Sequence, residues 1–300
     1  MAAGAGSLSE LKAIVSRVFP IRSAARKIYH LTRARAEMVS LRRAYRRKYG
    51  RGFVYTIDMR DEMYGFLRRH GATDLVVPIP DPCYARRAYL ATGEMMLGDL
   101  EGILRDLGRS LGGPRSFLDF ACGYGRLARF LVHRLDRHRI TVSDINKAAV
   151  DFTVSTFGVG GFYSARDASE LVHDGTYEVI FVASLFSHLT YSHWGAWLKR
   201  LYRMLDEGGL LIFSTHGPHV FRLLGDGPRR GLETPIEGFS FRKENETLGR
   251  LSTDYYANTF VTEGYVRGFV AANSLGKLVG CYPVKLWHFQ DVYVLERTST

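Results

Sequence analysis

The chain has few of the residues that build disulfide or metal frameworks. Its three cysteines, Cys83, Cys122 and Cys281, stand singly among 300 residues. That excludes a disulfide scaffold and a thiolate metal cluster, so a reducing compartment, the cytoplasm, is expected. Long apolar runs are also missing. The longest, Val179 to Ala183, is far shorter than a membrane span requires, and residues 1–20 lack the continuous apolar segment of a secretory signal. Acids are scarce at one end only. Residues 1–51 hold 13 Lys or Arg against Glu10 and Glu37, a balance of +11, which equals the net charge of the whole chain. Residues 52–300 are therefore formally neutral, with 28 basic and 28 acidic side chains.

What is present divides into a basic helical arm (1–51), a helical lead-in (52–110) and an α/β domain (111–300). In the arm, Leu8, Leu11, Ile14, Val15 and Val18 have helical spacing behind a Ser7 or Ser9 cap, and Pro20 ends that helix. A second helix is expected from Ser23 to Lys48, with Ile28, Leu31, Met38, Leu41 and Tyr45 on one side and arginines around the rest. Such an arm suits packing on the domain or on a second subunit, an anionic membrane surface at the inner face, or an acidic partner protein. Nucleic acid ranks after these, and an Arg-rich organellar leader is a further reading. The lead-in reads as a helix at 58–70, an extended Pro-rich linker at 76–82 and a long helix at 86–111 that Gly93 interrupts; it is expected to cover the domain's ligand cleft.

The domain is organised around FLDFACGYGRLARFL, Phe117 to Leu131, and ITVSDIN, Ile140 to Asn146. The first reads as a buried strand, a glycine turn at Gly123 and Gly125, and a helix from Arg126 to Leu135. The second is a strand closed by Asp144, 19 residues after Gly125, where a carboxylate can accept from both hydroxyls of a ribose. The spacing also satisfies a nicotinamide-dinucleotide fingerprint. Asp119 discriminates: a carboxylate four residues before the first glycine gains nothing from a pyrophosphate but attracts an ammonium or sulfonium. Strand and helix then alternate through strands at 161–164, 178–184 and 210–214. A Gly- and Pro-rich loop follows at 217–245, and strands at 266–271 and 291–297 are expected to close the sheet as a hairpin.

The D-x-x-x-G-x-G unit resembles motif I of the class I S-adenosylmethionine-dependent methyltransferases. The phrases YLATGE, DYYANTFVTEGYVRGFV and HFQDVYVLER resemble bacterial members associated with glycan assembly. The resemblance implies a Rossmann-like, seven-stranded doubly wound sheet with a C-terminal antiparallel hairpin behind an N-terminal helical extension, and S-adenosyl-L-methionine as cofactor. It implies that Asp119, Ala121, Cys122, Gly123 and Gly125 line the methionine part, that Asp144 binds the ribose with Ile145 against the adenine, that Asp167 and Ala168 meet the adenine edge, and that Ser184 lies where the cleft opens.

Methyl transfer to an alcohol needs alignment and removal of a proton. His188, past the fourth strand, and His216, past the fifth, are the candidate bases; each can equally shape the pocket or bond to backbone. His216-x-x-His219 has no neighbouring carboxylate or thiolate in sequence, so no metal is expected. The chain has ASLFSHL where amino-group methyltransferases carry N-P-P-Y, which disfavours an adenine or glutamine nitrogen as acceptor; the expected acceptor is an oxygen of a sugar, glycan or other hydroxylated small molecule. The alternatives are an RNA methyltransferase using the arm and a non-catalytic binding protein of the same fold. The oligomeric state stays open.

Overall fold

The computed structural model describes residues 36–70, 82–225, 237–243 and 254–298. The expected helix at 8–19, the first part of the second arm helix, nearly all of the linker at 76–82 and much of 217–245 lie outside the described residues.

A seven-stranded sheet forms the centre, in the order β3-β2-β1-β4-β5-β9-β8. Its strands are β1 (Phe117–Phe120), β2 (Ile140–Asp144), β3 (Gly160–Tyr163), β4 (Tyr177–Val182), β5 (Leu205–Thr215), β8 (Lys277–Leu286) and β9 (Gln290–Glu296). A separate ribbon pairs β6 (Phe239–Arg242) with β7 (Asn258–Val261). Strands β1 to β5 are mutually parallel, and β9 and β8 run antiparallel at the far edge. This is the expected doubly wound architecture with its closing hairpin.

Side chains of the central strands alternate between two cores. Phe117, Val179, Phe181, Leu210 and Ile212 enter one; Leu118, Ile180, Val182, Leu211 and Phe213 enter the other. Both faces are covered, which is why these strands read as unbroken apolar runs rather than alternating ones. The first face packs against α1 (36–49), α3 (Pro82–Asp106) and α4 (Ala128–Leu131), the second against α6 (Tyr191–Arg203) and α8 (Glu263–Ala272). The remaining helices are α2 (Glu62–His70), α5 (Lys147–Phe157) and α7 (Pro218–Gly225).

Several expected elements differ. Residues 266–271 are helical, not a strand: the Thr262 side chain accepts from the Tyr265 N–H as an N-cap, Glu263 sits in the first turn, and Val266 and Val270, four apart, are the buried pair. The missing hairpin strand is β8, disguised by Gly280 and Pro283; a proline is tolerated there because β8 is an edge strand with an irregular register. The helix after the glycine turn is reduced to Ala128–Leu131, since several N–H groups around it bond three residues back, as at Phe130 to Leu127 and Arg134 to Leu131. Part of the expected 217–245 loop is ordered as α7, opened by Pro218 at its first position, and as β6.

Candidate active site

Strand order reverses between β1 and β4, the place where an open parallel sheet leaves a crevice at its carboxyl edge. Two non-glycine residues just beyond those strands hold left-handed backbone, Ala121 (φ 61°) and Ser184 (φ 64°). Such conformations cost free energy and persist where surrounding structure enforces them, commonly at ligand sites.

The glycine turn lies between them. Gly123 has φ 53°, and a Cβ placed on it would meet nothing within 4 Å, so this glycine faces open space. Gly125 serves a different purpose. With φ 71° its missing Cβ would lie 2.6 Å from Phe157 and 3.0 Å from Thr153, so the residue lets α5 approach the turn rather than lining the cleft. The buried Cys122 Sγ bonds to the Gly123 carbonyl at 3.2 Å, and burial pushes its thiol pKa up, so it is neutral.

Asp119, in β1, is 3% exposed, and its Oδ2 has no hydrogen-bond partner. Burial, then the nearby Asp144 charge, raise its pKa to about 8, only partly offset by Arg126. Asp144, at the end of β2, accepts from the N–H groups of Gly123 and Asn146, both at 2.8 Å. Burial nevertheless raises its pKa. Ile145 beside it is 40% exposed. These two carboxyl groups, one with an unpartnered oxygen and one fastened to the turn, lie near each other at the carboxyl edge of β1 and β2.

Asp167 precedes the short turn Ala168–Glu170 and does not cap it through its side chain. Its Oδ1 instead meets His193 Nε2 at 2.9 Å, and His193 Nδ1 meets Thr190 Oγ1 at 2.7 Å. Ala168 is buried. Ser184 belongs to a polar ring: its N–H donates to Ser214 Oγ, that hydroxyl donates to Gln290 Oε1, and Gln290 Nε2 donates back to Ser184 Oγ, at 2.7–2.9 Å.

The strand around β7 stitches the loops after β4 and β5 together. Ala257 N–H donates to the His188 carbonyl, Thr259 N–H to Ser187, and Val261 N–H to His216. His188 and His216 are thereby brought within 5.7 Å, ring centre to ring centre. His188 Nδ1 lies 2.9 Å from the Ala257 carbonyl oxygen, which can only accept, so Nδ1 carries the hydrogen and Nε2 keeps its lone pair. Burial lowers the pKa of His188 to about 4, and burial plus the neighbouring His188 lower that of His216 to about 3; both rings are neutral. His216 Nδ1 is buried without a partner. Among the described residues, no group of three His, Cys, Asp or Glu is placed to hold a metal.

Three further residues belong to this region. Tyr256 stacks on His188 at 4.8 Å, and its hydroxyl pKa is raised by burial, then by the charges of Asp144 and Glu62. Glu62 opens α2, in the lead-in, so that segment reaches Asp144 electrostatically. Arg126 lies 4.6 Å from the Trp287 ring at the tip of the β8–β9 hairpin. Only their spatial convergence marks them; Tyr256 reads in sequence as one of many core aromatics.

Residues 117–209, which include the glycine turn, Asp144, Asp167, Ser184 and His188, match the family model described as Methyltransferase domain. No curated protein matches the chain. Among solved structures, the chain is similar to an S-adenosylmethionine-dependent methyltransferase from Clostridium acetobutylicum ATCC 824, with 12% identity over 72% of this chain and 100% of that one, at a TM-score of 0.50. It is also similar to DesVI from Streptomyces venezuelae, with 12% identity over 82% of this chain and 100% of that one, at a TM-score of 0.50. Residues 117–209 therefore match a methyltransferase domain model, and the chain has a Rossmann-like fold shared with methyltransferases of known structure.

Proposed function

We propose that the cleft at the carboxyl edge of β1, β2 and β4 binds S-adenosyl-L-methionine and directs methyl transfer to an oxygen of a sugar, glycan intermediate or other hydroxylated small molecule. The observation that carries the cofactor assignment is the buried Asp119 carboxyl, whose Oδ2 has no hydrogen-bond partner, beside a glycine turn with open space at Gly123. In this reading Asp119 faces the cationic methionine portion, Ala121, Cys122, Gly123 and Gly125 shape the turn, and Asp144 takes the ribose hydroxyls beside Ile145. Asp167 and Ala168 meet the adenine, with His193 orienting the Asp167 carboxylate. Bound there, the cofactor supplies a sulfonium-activated methyl group for in-line displacement.

The acceptor assignment rests on His188. Its Nδ1–H is committed to Ala257, so the neutral ring offers Nε2 as a proton acceptor to an attacking hydroxyl. His216, neutral and next to it, supplies a second imidazole edge without adding charge. The Ser184–Ser214–Gln290 ring holds the start of the loop that carries His188. In this reading α2 covers the cleft from the side of Glu62, whose charge reaches Asp144.

Calorimetric titration with S-adenosylhomocysteine and, in parallel, with NADH tests the cofactor, using Asp144→Asn as control. Labelled-methyl transfer to a panel of hydroxylated acceptors tests the chemistry. S-adenosylhomocysteine binding weakened by Asp144→Asn, with transfer lost in His188→Gln while binding persists, is the expected result. Binding of NADH alone would overturn the cofactor assignment, and full transfer by His188→Gln would remove the base.

A further inference from the structure

A one-signed patch lies away from the cleft, on α1. One side of this helix is pinned to the domain: Tyr45 and Tyr49 are buried, Tyr45 stacks on Phe53 at 5.0 Å, and Tyr49 meets Phe130 edge-on at 5.4 Å. Both hydroxyls donate to Glu94, which also pairs with Lys48. A helix fixed at these positions presents its remaining faces at a set orientation.

Those faces carry Arg43, Arg46 and Arg47, all exposed, and Arg51 follows just beyond the helix end. Among the described residues, these four line a shallow depression of about 570 Å³. Neighbouring basic residues are neutralised, Arg87 by Glu37, Arg134 by Glu101 and Lys48 by Glu94. Among the described residues, no carboxylate pairs with any of these four. The helix dipole does not account for them. It contributes about half a negative charge at a helix C-terminus, felt within the last turn, against four guanidiniums of which Arg43 lies more than a turn back.

We propose that this depression is a binding site for a compact group carrying two or more phosphate charges, such as a diphosphate. The guanidinium fork matches phosphate oxygens two at a time, and the planar group is more weakly hydrated than an ammonium. Among the described residues, no aromatic or apolar side chain lines the depression, which favours recognition of charge over that of a base or an acyl chain. From residue 43 to 51 the backbone rises by roughly 12 Å, the reach of one compact group; a single-stranded nucleic-acid site tracks several successive phosphates and adds aromatic platforms. This site stands independently of the methyltransferase reading.

The test uses the full chain and inorganic pyrophosphate at low ionic strength, comparing wild type with Arg46→Gln/Arg47→Gln and Arg46→Lys/Arg47→Lys. Pyrophosphate binding that falls about tenfold or more in the Gln variant, falls less in the Lys variant and weakens with salt is expected, with thermal midpoints unchanged because the residues are exposed. Vesicle sedimentation distinguishes the sources: pyrophosphate-competed binding to phosphatidic acid vesicles, absent for phosphatidylcholine, assigns the group to a lipid, whereas pyrophosphate binding alone assigns it to a soluble ligand. Absence of pyrophosphate binding, equal affinity in the Gln variant, or binding of an RNA oligomer that saturating pyrophosphate does not displace overturns the proposal.

Discussion

Asp119 sits in β1 almost out of water, with one oxygen unpartnered, and its pKa is raised to about 8. At pH 7 the carboxyl of the free protein is then about nine-tenths protonated. A ligand that brings an ammonium beside it reverses the balance and makes the ionised form the stable one, so binding must expel close to one proton. Titration of S-adenosylhomocysteine at pH 7 in buffers of different ionisation enthalpy reads that proton directly: the buffer takes it up, so the apparent binding enthalpy should fall linearly as the buffer's ionisation enthalpy rises, with a slope near minus one for one proton released. In Asp119→Asn the slope should vanish and affinity should fall. Stability gives the complementary reading. The displacement from the ordinary carboxylate value to about 8 corresponds to roughly 5 to 6 kcal/mol. Because the folded state holds the proton while the unfolded chain has released it, the Asp119 contribution to stability falls from about pH 4 to about pH 8 and is level outside that window. The free Asn variant should therefore overtake wild type in urea midpoint as pH rises through that range. A buffer-independent enthalpy in wild type, or an Asn variant that binds S-adenosylhomocysteine undiminished, would refute the assignment of Asp119 to a cationic ligand.

Three other consequences follow from the packing. Gly123→Ala should cost only the left-handed backbone strain, about 1 kcal/mol, since its Cβ would meet open space, whereas Gly125→Ala adds a clash with Phe157 and Thr153 and should cost about 3 kcal/mol; denaturant unfolding separates them. Arg129 is fully buried, and its Nη1 donates to the Val54 and Thr56 carbonyls, tying the lead-in to α4. Arg129→Ala should cost about 3 to 5 kcal/mol, and Arg129→Met less, because Met refills the volume. Burial depresses His216 to about 3, so the unfolded chain binds the proton first and stability should fall as pH drops from about 6.5 towards 3. His216→Phe should lose less stability than wild type between about pH 6.5 and pH 3 in pH-resolved thermal melts, keeping the parallel contribution of His188.

The sheet was legible because its parallel strands are covered on both faces, which forces the unbroken apolar runs around Phe117, Val179 and Leu210. The glycine turn was legible because positive φ selects glycine at Gly123 and Gly125. Other elements misled for identifiable reasons. The stretch 266–271 is apolar enough for a strand, and only the Thr262 cap and the period of Val266 and Val270 mark it as α8. Strand β8 carries a proline that a central strand would reject and an edge strand accepts.

The sequence by itself determined the strand–turn–helix grammar of the domain, the placement of Asp119 and Asp144 at strand ends and the concentration of positive charge in residues 1–51, because these follow from local steric preference and composition. Tertiary structure alone decided that Gly123 faces space while Gly125 faces α5, that Asp119 Oδ2 has no partner, and that the His188 lone pair is on Nε2. It also decided that Tyr256, far along the chain, stacks on His188, and that three arginines of α1 and Arg51 just beyond it share one depression. These are matters of which groups exclude water from which others, and burial is a property of the assembled layers that no local stretch of chain encodes.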